Sequence, residues 1–75
     1  MSASTTGERV LGAALSSFGA RGYEATSLDA LAAGLGLAKQ TILYWYPSKE
    51  VLLEAVVDRA GAELQAAMDL SLIHI

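Results

Sequence analysis

Residues 27–49, SLDALAAGLGLAKQTILYWYPSK, decide how this chain folds. Leu28, Leu31, Ala32 and Leu35 recur at i, i+3, i+4 and i+7, the stripe of a short amphipathic helix. Thr26 and Ser27 offer a hydroxyl to cap its first turn, and Asp29 sits where the positive end of the helix dipole favours a carboxylate. Gly34 and Gly36 bracket Leu35, so the helix stops there, and Gly36 can take the positive φ of a sharp turn. A new helix opens at once, from Ala38 to about Tyr46. Pro47 closes it, because proline has no amide with which to continue the ladder.

Two short helices joined by a glycine turn cross steeply and need small or apolar side chains around the crossing. Leu31, Ala32, Leu35, Leu37, Ile42 and Trp45 fall where a helix-turn-helix asks for them, with Gly36 at the turn. Upstream, Leu11, Ala14, Leu15 and Phe18 mark a first helix over about residues 7–21, which Gly22 ends as a left-handed cap. Downstream, Ser48 caps a longer fourth helix whose stripe runs Leu52 or Leu53, Val56, Ala60, Leu64, Ala67. No strand pattern or internal repeat is present. The expected fold is all-α: a three-helix, homeodomain-like helix-turn-helix bundle plus the first part of a fourth helix. Residues 1–6 read as a disordered arm and 7–66 as the domain, with the motif at 27–46. Residues 67–75 read as the truncated end of helix four.

A chain of 75 residues with no cysteine and a single histidine, His74, holds one small domain whose thin core must come from helix packing. Structural zinc, thiol redox chemistry and a cysteine nucleophile are excluded on inventory. No nucleophile, base and orienter can be assembled and no phosphate-cradling glycine loop is present, so an enzyme is not expected, nor a cofactor. The N-terminus lacks a basic start and an apolar h-region, and no apolar run is long enough to span a bilayer. The expectation is a cytoplasmic protein with no membrane partner.

The net charge of −3 argues at first against a polyanion partner. The average hides an asymmetry. Between Thr26 and Lys49 two lysines, Lys39 and Lys49, outweigh Asp29, whereas the rest of the chain has three basic against seven acidic residues. Any phosphate contact must therefore come from the middle. There, the 3.6-residue period turns Ala38, Ile42 and Tyr46 toward helices one and two. The opposite face carries Lys39, Gln40, Leu43 and Tyr44, with Thr41 and Trp45 on its shoulders. In a major groove Lys39 can donate to guanine, Gln40 can pair bidentately with adenine and Leu43 can touch a thymine methyl. Tyr44 shares this base-reading face and also has a hydroxyl suited to phosphate. Thr41 and Trp45 suit phosphate through their own donors, and Lys49 with the helix starts at Thr26, Ser27 and Ser48 completes a phosphate clamp.

The stretch from Val10 to Glu54 resembles the N-terminal domain of tetracycline-repressor (TetR) type regulators. The phrases that carry the resemblance are Phe18-Gly19-Ala20-Arg21-Gly22-Tyr23, Thr26-Ser27-Leu28, Gly36-Leu37-Ala38-Lys39 and Tyr46-Pro47-Ser48-Lys49-Glu50. The resemblance implies a ligand-relieved repressor that reads a palindromic operator in double-stranded DNA. It assigns recognition to helix three and phosphate binding to the cap of helix two and to Lys49. It also implies a homodimer and a small-molecule inducer, both through a C-terminal domain beyond these residues, so the 75-residue chain is expected to bind weakly as a monomer. The wording departs from the family's commonest form at Gln40 (usually glycine), Leu43 (tyrosine), Trp45 (histidine) and Tyr46 (phenylalanine). Tyr44, one position on, is expected to take over part of the role of the tyrosine missing at 43.

Glu50, Glu54 and Asp58 form an acidic stripe that reads as a solvated face and not as a metal site. A helical protein-interaction module with no DNA role is the rival class, favoured by the negative charge and distinguished by salt-independent or absent DNA binding. The ending Leu70-Ser71-Leu72-Ile73-His74-Ile75 resembles the in-frame translation of a transposase end adapter, and residues 70–75 are expected to be a non-native tail in which His74 has no role.

Overall fold

The computed structural model describes residues 5–73, with side chains for residues 5–62. Four helices follow one another: α1 (Thr6–Arg21), α2 (Leu28–Leu35), α3 (Lys39–Trp45) and α4 (Lys49–Ile73). No strand occurs among the described residues, and the all-α bundle is the fold read from the sequence.

Local chemistry places nearly every boundary. At the start of α1 the Thr5 hydroxyl accepts the Glu8 amide at 3.1 Å while the Glu8 carboxylate accepts the Thr5 amide at 2.8 Å, a reciprocal capping box. Thr5 and Thr6, assigned to a disordered arm by sequence, therefore belong to the helix start; residues 1–4 lie outside the described residues. Gly22 ends α1 at φ 90°, ψ 161°, an extended positive-φ conformation open essentially to glycine alone, and not the left-handed helical cap expected. Ser27 caps α2 by accepting the Ala30 amide at 3.0 Å. Gly36 ends α2 at φ 70°, ψ 31°, and the Leu37 amide reaches back to the Ala32 carbonyl at 2.8 Å in a Schellman closure. Pro47 holds Tyr46 extended and so stops α3, and the Ser48 hydroxyl accepts the Val51 amide at 3.1 Å to open α4.

The core gathers Val10 and Ala14 of α1, Leu31 and Ala32 of α2, Ile42 of α3, and Leu52 and Val56 of α4. Between the two α4 candidates the helix phase selects Leu52, fully buried, over the half-buried Leu53. Ile42, Leu52 and Val10 are the largest completely buried side chains, each contributing about 1.5–3 kcal/mol by its removal from water. Of the expected α1 stripe, Ala14 is buried and Leu11, Leu15 and Phe18 pack half-buried against the core, while Gly7 and Val10 extend the buried line beyond it. Ala60, expected in the α4 stripe, is exposed, and the side chains of Leu64 and Ala67 lie outside the described set. The α4 backbone continues as helix through residues 70–73; His74 and Ile75 lie outside the described residues.

Candidate nucleic-acid interface

α3 is held from behind and open in front. Ile42 is completely buried, Thr41, Leu43 and Tyr46 are half-buried, and Lys39, Gln40 and Tyr44 are exposed, Tyr44 at 80% of its surface. Ala38 departs from its expected place. It is the N-cap of α3, extended and exposed, and it contributes nothing to the inward face.

Two contacts fix the far end of α3 to the first turn of α1. The Tyr46 hydroxyl donates to the Gly7 carbonyl at 3.0 Å, and the six-membered ring of Trp45 lies where a side chain on Gly7 would stand. Trp45 also meets Tyr44 edge to face, with centroids 5.7 Å apart at 88°. It remains 42% exposed, so its packing leaves part of its surface open.

The phosphate candidates divide. Ser27 and Ser48 are spent on capping through their lone pairs, which leaves each hydroxyl proton free to donate. Thr26 is different. It is only 3% exposed, donates to the Gly22 carbonyl at 3.0 Å and meets the Ser17 hydroxyl at 2.7 Å, so it is a pin between α1 and the turn. Contrary to the phosphate contact expected of it, a hydroxyl this buried and engaged with both Ser17 and Gly22 is not placed to meet a ligand.

The two lysines are held in contrasting ways. Lys39 is 3.7 Å from the carboxylate of Asp29, an exposed pair that partly neutralises the reading face. Lys49 lies over the ring of Tyr23, its Nζ 4.1 Å from the centroid. Burial, then the nearby Glu50 and Glu24, raise the Tyr23 phenol above its ordinary 10.0, so the ring stays neutral. Sequence reading missed both partners. Asp29 was visible only as a dipole partner and Tyr23 only as part of a family phrase, because neither is within a helical turn of its lysine.

An exposed polar helix backed by a short helix across a glycine turn, flanked by capped helix starts and lysines, defines a helix-turn-helix domain of the nucleic-acid-reading class. Residues 10–56 match the sequence model of the family described as bacterial regulatory proteins, tetR family, and the chain belongs to that family. It is similar to the HTH-type transcriptional regulator RutR of Escherichia coli K12, 42% identical over 48 residues that cover 64% of this chain and 23% of the relative. The regulator of the same name in Shigella flexneri matches to the same extent. The chain thus spans about a quarter of the length of the curated relatives it matches. No solved structure matches it significantly. The family is one of transcription regulators, and among the described residues no helix is long and apolar enough to cross a membrane.

Proposed function

We propose that residues 7–66 are the DNA-reading head of a dimeric, ligand-relieved transcriptional repressor, with α3 in the major groove. Lys39, Gln40, Leu43 and Tyr44 contact bases; Ser27, Thr41, Trp45, Ser48 and Lys49 contact phosphates. The carrying observation is the division of α3 itself: Ile42 is sealed into the core while Lys39, Gln40 and Tyr44 stand clear of it on the other side. A helix used only for packing or for an apolar partner would not expose that set. Inducer binding and dimerisation are assigned to the part of the relatives that this chain does not span, and the site of action is the cytoplasm.

Fluorescence anisotropy with duplex DNA over a salt series tests the reading. Affinity should fall steeply as salt rises, Lys49→Ala should lower the log–log slope by about 0.9 by removing one phosphate contact, and Lys39→Ala should reduce affinity by removing a base contact. Binding that is absent, or indifferent to salt and to both substitutions, would favour the interaction-module reading instead.

A further inference from the structure

Lys49 opens α4 immediately after the Ser48 cap, and its ammonium rests on an aromatic face. That face is itself anchored. Tyr23 packs against Phe18 with centroids 5.4 Å apart at 57°, and Phe18 packs against the buried core. The Tyr23 carbonyl accepts the amide of Thr26 at 3.2 Å, and Thr26 is pinned to Ser17 and Gly22. The support beneath Lys49 therefore runs from the core through two rings and a closed turn, while the lysine stays half-exposed.

The nature of the partner matters. Lys39 is paired with a carboxylate, which cancels charge that a phosphate would otherwise meet. A ring carries no net charge, so it holds an ammonium in place without neutralising it. An ammonium has three N–H donors, and contact with a ring on one side leaves the others available to phosphate oxygens. A lysine free in solution loses much rotamer freedom on binding; one already seated loses less.

We infer that Tyr23 is a positioning residue that pre-sets Lys49 for the phosphodiester backbone of DNA. This role rests on the DNA-binding reading above. It predicts a distinctive separation of effects: removing the ring lowers affinity without changing how many counterions are released, whereas removing the lysine changes both.

The test uses the full 75-residue chain and a short mixed-sequence duplex, with affinity measured across a salt series. Tyr23→Leu should weaken binding about two- to tenfold at every salt concentration and leave the slope unchanged. Tyr23→Phe, which keeps the ring, should bind like the parent. Lys49→Ala should lower the slope by about 0.9, and adding Tyr23→Leu to it should cost nothing more. Equal loss from Tyr23→Leu with and without Lys49 would make the residue merely structural and overturn the role. So would a loss in Tyr23→Phe as large as in Tyr23→Leu, which would point to the hydroxyl. Should Tyr23→Leu unfold, the unaltered chain still decides: the ε-methylene protons of Lys49 should be shifted upfield by the ring in a proton–carbon spectrum, and positions typical of free lysine would overturn the proposal. If the parent shows no salt-dependent binding, the DNA reading falls and this role with it. Binding that Lys49→Ala weakens but Tyr23→Leu does not touch removes this role alone.

Discussion

Gly7 has no side chain, and Trp45 occupies the space where one would be. A β-carbon there would lie 2.6 Å from Trp45 Cε3, closer than atoms can approach. Gly7→Ala gains up to about 1 kcal/mol of helix propensity, but overpacking of this kind costs about 1–3 kcal/mol. The expected result is net destabilisation in a denaturant titration, with Trp45 emission shifted to the red as the ring is displaced toward water. Asp29 offers the opposite case. Asp29→Asn removes the carboxylate beside Lys39, and non-specific DNA affinity should rise, with a stronger salt dependence in the anisotropy titration; an unchanged curve would mean the pair at 3.7 Å is inconsequential. Such residues mark the limit of what the sequence could show. The exposed set on α3 was legible because Lys39, Gln40 and Tyr44 obey a helical period around Ile42. Thr26 was misread because a threonine next to a serine cap looks like a second cap until Ser17 and Gly22 are brought to it by the turn.

Among the elements, the beginnings and ends were the most legible, since capping is chemistry between neighbours: Ser27 with Ala30, Gly36 with Ala32 and Ala33, Ser48 with Val51. The inward side of α1 was legible from Leu11, Ala14, Leu15 and Phe18, but Gly7 was not part of it, because Gly7 counts as buried only once Trp45 is laid upon it. The Tyr46 hydroxyl then ties α3 to the same turn of α1. Burial, opposed by Arg59 and reinforced by Glu8, raises the Tyr46 phenol above its ordinary 10.0. A pKa higher in the folded chain contributes stability that is complete below the unfolded value and is lost as pH rises through the folded one. Tyr46 therefore supports the fold at neutral pH, and that support declines as pH rises past its ordinary 10.0 toward the higher folded value, where the phenolate can no longer donate to Gly7. Tyr46→Phe should cost about 1 kcal/mol at pH 7 and lack the alkaline decline attributable to this group, as thermal melts over a pH series would show. Replacing Ser27 by alanine should cost about 0.5–2 kcal/mol through loss of the α2 cap. Thr26→Val should also destabilise while leaving the salt slope of DNA binding intact, which separates a structural pin from a phosphate ligand.

Over the whole molecule, a net charge of −3 coexists with a reading segment that is locally positive, and this polarity orients the head toward a polyanion. Glu50, Glu54 and Asp58 are all exposed on α4. A single head touches one half-site, so one copy of this domain should bind DNA far more weakly than a paired reader; nanomolar binding by a single copy at physiological salt would contradict this. The tether between Tyr46 and Gly7 has a further consequence. It joins residues 39 apart in sequence, and closing a loop of that length costs roughly 3 kcal/mol in chain entropy, several times what one hydrogen bond returns. The bond cannot draw the ends together by itself; it depends on the packing of Val10, Ile42 and Leu52 in the core to hold them there. α3, a short helix with Ile42 as its one buried residue, should exchange its amide hydrogens before the buried turns of α1 do.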